Sequence, residues 1–591
     1  MLFFPLRSLV LGALFSVACL STLTSCSRKR SGNTTGPKVV RFAFREDVKS
    51  ADPIQANDVI SSELMGHIFE GLMQFNYLGT MDSLSPLLAT QPPKILNKGK
   101  TLTFDLRSGV KFQDDPAFVG GKGREVVAQD FVFSLKRLAD PSMMSPNWWM
   151  FDGVIEGLNE WRSAIEKAPA DQKNVFFDKP VKGLVAESPT RLTFKLIKPY
   201  PQLLPILAMP QTAVMAREVV EKYGPDIINH PVGTGPFKLK SWVRGSKVSV
   251  VRNPSYREEH YPNTGSDEDR KEGLLQAATK TVPFVEEIQW DIIKEEQPLW
   301  LKFRSGELDR ADIPKDNFID AIDGNGKLKP ELSQEGIVLH KYLSLTSWWI
   351  EFNMKDPVLG SNIKLRGAIA HAFDRTRALE LLFNNRGILA NSPIPPSIEG
   401  GSQLPAYPYN HSVEKAKALL AQAGFPEGKG LPELTYDLRG PGTTQRQLGE
   451  LLKDNLEKVG IKLSILANSF PEALEKTKTG RFQMMLGGWI ADYPDPENFL
   501  QLFYGPNAAP GTNTSNFKNK EYDALYEKVR NELPSPERKK QVVKMGEILQ
   551  KDIPAVFFYH QMEYKFTRKW LKNYKPHLFY MGTGKYVDLE R

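Results

Sequence analysis

Thr101-Leu102-Thr103-Phe104-Asp105-Leu106 alternates apolar with polar residues, the period-two pattern of a strand buried on one face. Further on, Arg191-Leu192-Thr193-Phe194-Lys195-Leu196 repeats the pattern. Between them Val127, Phe131, Leu135 and Leu138 recur at helical spacing and predict an amphipathic helix. Strands intermixed with helices in this way indicate an α/β architecture, and the mixture continues along the chain. Ser412 is placed to cap a helix whose Ala416, Leu419, Leu420 and Ala423 fall at i, i+3, i+4 and i+7, with Gly424 ending it. Ser535-Pro536 opens another, carrying Val542, Met545 and Leu549; Pro554 then breaks it before a buried strand from Ala555 to Tyr559. No internal repeat is evident, which argues against solenoids and propellers.

The 591 residues are 41% hydrophobic, 25% charged and 10% aromatic, a globular composition rather than a disordered or multi-span membrane one. Their number allows about three or four units, each able to bury a core. Lys and Arg total 77 against 69 Asp and Glu, a formal +8. The excess is scattered among acids instead of gathered into a basic stripe, so no nucleic-acid partner is expected. The two cysteines, Cys19 and Cys26, both lie near the N-terminus. The body therefore holds no disulfide scaffold, zinc ribbon, iron–sulfur cluster or cysteine nucleophile. The eight histidines are dispersed, and no His-Glu-x-x-His pair, Walker-type loop or Gly-x-Ser-x-Gly elbow occurs. Binding without catalysis, and without a cofactor or metal, is the expectation.

Arg7 precedes a mostly apolar run from Leu9 to Leu20, the pattern of a secretory signal and too short for a spanning helix. Leu23-Thr24-Ser25-Cys26 resembles the lipobox of bacterial lipoproteins. That resemblance implies removal of residues 1–25 and lipidation of Cys26; a signal peptide with a chance cysteine is the other reading. Residues 26–36 lack apolar periodicity and read as a tether whose Arg28-Lys29-Arg30 can sit against anionic lipid. The expected location is the cell envelope, outside the cytoplasm, with the body held to a membrane through the lipid.

Several blocks stand in a telling order: Ser50-Ala51-Asp52-Pro53, Ile68-Phe69-Glu70-Gly71-Leu72, Ser85-Pro86-Leu87-Leu88-Ala89 and Thr103 through Phe112. Gln129-Asp130-Phe131-Val132-Phe133-Ser134, Val232-Gly233-Thr234-Gly235-Pro236-Phe237 and Arg252-Asn253-Pro254-Ser255-Tyr256 follow. Arg304 through Asp309, Lys364 through Arg375, Glu414 through Leu420 and Gly488-Trp489-Ile490-Ala491-Asp492-Tyr493-Pro494-Asp495-Pro496 complete the series. Together they resemble the family 5 solute-binding proteins of peptide-type ABC importers. Three features depart from that pattern: the long Asp114 to Gly121 loop, a polar insertion at residues 263–273, which reads as a solvated surface loop, and a body without any disulfide pair.

The resemblance implies a two-lobed periplasmic-binding-protein clamshell of type II, with an extra domain on the first lobe. The first lobe would comprise residues 37–69, 196–341 and 561–591, the extra domain 70–195, and the second lobe 342–560. A monomer that takes a short peptide and delivers it to ABC transporter permease subunits is implied. Alternatives are the same fold binding nickel, haem, a sugar or an opine, a sensor or adhesion lipoprotein, and lastly a hydrolase.

In peptide-binding members the Gly488-Trp489 motif supplies a carboxylate for the ligand's α-ammonium group, which makes Asp492 the foremost ligand-binding candidate. A buried ammonium needs a charged acceptor; the competing reading is a turn aspartate before Pro494. Asp495 reads as the turn residue. Trp489 and Tyr493 are candidate pocket walls, with Trp348 and Trp349 behind them, all against the alternative of core packing. Asp47 and Val48 match the strand that meets an extended peptide's backbone. His371 reads as a core histidine, Gly233 and Gly235 as turn glycines, and Asp309 and Asp312 as structural.

Overall fold

The computed structural model describes residues 36–591 except Met81. The signal segment, Cys26 and the tether up to Thr35 lie outside the described residues. Residues 37–590 form one unit, in which three sheets carry the architecture.

Alternation buries Val40, Phe42 and Phe44 of the strand Val39–Phe44, which pairs in parallel with Glu287–Ile292. Lys247–Arg252 and Phe237–Val243 extend this sheet antiparallel. The helix Val59–Ile68 contacts it, started by Asp58, whose side chain accepts from the Ser61 amide. His67 on this helix is buried against Trp290, ring centroids 5.2 Å apart.

The second sheet runs Lys94–Leu96, Thr101–Asp105, Arg191–Lys195, Leu184–Ser188, antiparallel throughout. The helix Ala128–Ala139 contacts two of these strands and contributes Phe131, Leu135 and Leu138 to the core. Thr101–Asp105 alternates in burial as its sequence predicts. Arg191–Lys195 does not: Leu192, Thr193 and Phe194 are all buried. It is a central strand, and the Thr193 hydroxyl is satisfied by Thr103 at 2.9 Å.

The third sheet has the order Arg310–Asp312, Ala555–Arg568, Ile337–Phe352, Met484–Ile490, Leu434–Asp437, Leu463–Leu466, with Gly387–Leu389 also on Ala555–Arg568. Its two long strands connect two cores. One end packs in the cluster of Trp300, Phe303 and Phe566, the other among Ile350, Phe352, Val556 and Phe557. The strand expected to span Ala555 to Tyr559 therefore runs on to Arg568, because a long partner continues to pair with it. Register shifts between Leu343 and Ser347 and between Trp348 and Trp349 interrupt the ladder, and such irregularities bend a strand pair. There Ser347 Oγ meets His560 Nδ1 at 2.7 Å, and burial lowers the imidazole pKa to about 3.

Two local expectations change. Gly233 and Gly235 are not in the left-handed region; a Cβ would stand 2.1 Å from the Ile68 carbonyl oxygen at Gly233 and 2.7 Å at Gly235. They permit close approach of two backbones rather than a tight turn. The insertion is not a freely solvated loop either. Ser266 caps a short helix, Asp267–Lys271, and Asp269 is buried, accepting from Gly79 N at 2.8 Å and Lys575 Nζ at 2.6 Å. The paired lysine is what lets this acid leave water.

Candidate ligand-binding site

Met484–Ile490 pairs antiparallel with Thr346 to Phe352, setting Gly488 opposite Trp348 and Gly487 opposite Trp349. The chain then turns through Asp492 and Pro494 into the short helix Glu497–Leu500. The fully buried Asn498 on that helix organises the turn. Its Oδ1 accepts from Trp489 Nε1 at 2.8 Å and from the Asp492 amide at 3.0 Å, and its Nδ2 donates to Asp492 Oδ2 at 3.0 Å. One side-chain amide thus fixes both the indole and the carboxylate.

Asp492 is half-buried. Burial raises its pKa, the Asn498 bond opposing that rise. No Lys, Arg or His forms an ion pair with it among the described residues. A desolvated carboxylate with one neutral donor has acceptor capacity left for a cation.

Asp495, three residues on, is committed elsewhere. It caps the Glu497 amide at 2.8 Å and accepts from Arg538 Nη2 with both oxygens at 2.7 and 2.8 Å. It is a turn residue, as the sequence indicates, and also one half of a buried ion pair. Tyr493 is fully buried; its hydroxyl donates to Glu497 Oε2 at 2.6 Å and its ring stacks on Trp149 at 6.2 Å. Trp149 lies far earlier in the chain, so this contact ties distant segments together.

Trp489 lines a cavity of about 170 Å³. Trp349 and Glu351 lie in its lining together with Met485, Gly487, Phe503 and Thr514, and Arg439 closes one side. Leu474 and Thr512 are its exposed rim. Gly487 and Gly488 make room here: a Cβ would stand 2.3 Å from Trp349 Nε1 or from the Trp348 ring, respectively. Burial raises the Glu351 carboxyl to about 7, although Thr514 Oγ1 donates to its Oε1 at 2.5 Å. Trp348 instead donates to Gln561 Oε1 at 3.1 Å, and its ring has Arg439 over it at 5.7 Å.

Asp47 and Val48 follow Val39–Phe44 and are anchored to the turn after Phe237–Val243. Asp47 Oδ2 accepts from the Gly245 amide at 2.6 Å, while the Val48 side chain is fully buried and its carbonyl accepts from Arg244. No hydrogen bond among the described residues joins them to the Asp492 cluster. His371 is buried with Nδ1 on the Asn410 carbonyl at 2.7 Å. Asp309 accepts from the Arg41 amide and Trp570, and Asp312 pairs with Lys565. Among the described residues no three His, Cys, Asp or Glu side chains are grouped to hold a metal.

Residues 83–511 match the model of the bacterial extracellular solute-binding proteins, family 5. The chain belongs to that family. This family 5 protein is 27% identical over 541 residues to the periplasmic oligopeptide-binding protein OppA of Salmonella typhimurium, covering 89% of this chain and 88% of the relative. It is 26% identical over 465 residues to heme-binding protein A of Haemophilus influenzae, covering 78% and 75%. The periplasmic binding protein DppA from Helicobacter pylori in complex with the peptide STSA superposes with a TM-score of 0.71 at 24% identity, covering 94% and 99%. The two-lobed α/β fold is thus common to this family 5 protein and its solved neighbours.

Asn498, Glu351 and Arg439 escape a reading of the sequence. Glu351 carries a faint signal, a polar residue inside the apolar run Trp349-Ile350-Glu351-Phe352, whereas Asn498, preceded by Glu497, carries none.

Proposed function

We propose that this protein binds short peptides with a free amino terminus in the cleft between its lobes and releases them, as a monomer, to an ABC transporter. The observation that carries this reading is Asp492: a half-buried carboxylate, raised by burial, oriented by Asn498 and in no ion pair among the described residues. A peptide's α-ammonium group supplies the missing charge, and Trp489, held by the same Asn498, supplies apolar contact beside it. Binding and release make and break no covalent bond. The peptide-bound neighbour and the oligopeptide-binding relative support the choice of ligand class.

The lobe boundaries belong to this proposal. The first lobe is 37–69, 196–341 and 561–591, the extra domain 70–195 and the second lobe 342–560, with Tyr493 as a closure contact and Asp47 and Val48 facing the peptide backbone. The register shifts on either side of Ser347 lie near the 341/342 and 560/561 crossings. Closure about them would bury the ligand. Small-angle scattering of stripped protein is expected to give a smaller radius of gyration once peptide is added; an unchanged profile with bound peptide would contradict hinged closure.

Anchoring through lipid on Cys26 completes the proposal, placing the body on the outer side of a membrane. Labelled fatty acid is expected to enter the wild-type protein and not Cys26→Ala; equal labelling would remove the anchor.

A further inference from the structure

The cavity beside Trp489 has a specific floor. Trp349 is buried, and its indole N–H makes no well-formed hydrogen bond, although it stands close enough to the Glu351 carboxyl to favour its charged form. Glu351, buried beside it, accepts from Thr514 through Oε1. Its Oε2 lies over Gly487: a Cβ there would stand 2.6 Å from Oε2 and 2.3 Å from Trp349 Nε1. A donor and an acceptor therefore converge at the bare backbone of one glycine, beneath apolar walls that include Met485, Leu502 and Phe503.

We propose that this cavity receives a tyrosyl side chain of the ligand, whose hydroxyl donates to Glu351 Oε2 and accepts from Trp349 Nε1. The inference rests on the peptide reading above and specifies which peptides are preferred. Three observations favour this occupant. The cavity measures about 170 Å³, and an apolar cavity of about 150 Å³ holds a benzene ring. A hydroxyl both donates and accepts, so it satisfies both floor groups at once. Arg439 already stands in the lining and interacts with Glu351. A lysyl or arginyl side chain would add a second cation and give the indole N–H nothing to donate to. A phenylalanyl side chain would fill the walls and give neither Glu351 Oε2 nor the indole N–H a new partner, so their burial would stay poorly compensated.

The pocket shares Trp489 with the Asp492 cluster, so the preferred position lies within the first residues of the peptide. The test is calorimetric titration of ligand-stripped protein with trialanine carrying Tyr, Phe or Lys at its first, second or third position. Wild type is expected to favour Tyr over Phe by roughly 10–100-fold at one position. Glu351→Leu and Trp349→Phe, which remove the acceptor and the donor separately, are each expected to reduce that ratio to within about threefold. Tyr and Phe binding equally to wild type at every position would overturn the inference and leave the peptide reading standing. A lysyl peptide binding more tightly than the tyrosyl one would overturn it as well. Binding of no peptide at all would overturn both.

Discussion

Asp492→Asn is expected to weaken the binding of a short peptide by about 2–5 kcal/mol, the range for removing one partner of a buried charge pair. An N-acetylated peptide, which lacks the α-ammonium charge, should bind wild type poorly. The two changes should be strongly non-additive, since they remove opposite ends of one contact. Calorimetry of both proteins with both peptides closes the cycle; full additivity, or equal affinity of wild type for both peptides, would reduce Asp492 to a turn residue. The free protein should not suffer. Burial holds the Asp492 carboxyl above its usual range, and a carboxyl raised in the folded state contributes stability while protonated. That contribution disappears as pH rises through the folded pKa. At neutral pH the charged form opposes folding, so Asn at this position should leave the unliganded protein as stable as wild type or more so.

Asp495→Ala should do the opposite, destabilising the protein by about 3–5 kcal/mol. Arg538 is completely buried, and its guanidinium is held by Asp495, Glu399 and the Val529 carbonyl. Removing Asp495 takes away the bidentate partner and leaves Arg538 undercompensated in a place that water cannot reach. The same change frees the Glu497 amide at the start of its helix. Chemical denaturation reads the loss; a change below about 1 kcal/mol, the size seen for exposed pairs, would mean that the pair carries little. Two carboxylates three residues apart thus separate cleanly, one acting on ligand and the other on folding.

What was legible in the sequence was local. Ser412 and Ser535 cap the helices that follow them, because a capping side chain and its amide are only three residues apart. Thr101–Asp105 alternates because its apolar face meets one core. Properties set by distant partners stayed hidden. Arg538 stands in the run Arg538-Lys539-Lys540, and only Asp495 and Glu399 decide which of the three cations is buried. Ala555–Arg568 outruns its apolar stretch because Ile337–Phe352 pairs along it. Asp492 stands in a motif of its own, yet Asn498, which orients it, stands in none. Glu351 looks like any lone acid in an apolar strand until Gly487 brings it beside Trp349.

The most direct measurement is mass spectrometry of ligand released from protein purified without refolding, because a closed cleft retains its cargo. The account predicts short peptides with unmodified amino termini, released at near-stoichiometric amounts by denaturation and lost from Asp492→Asn prepared in the same way. Recovery of a haem, a sugar, an opine or a nickel complex in place of peptides would contradict it.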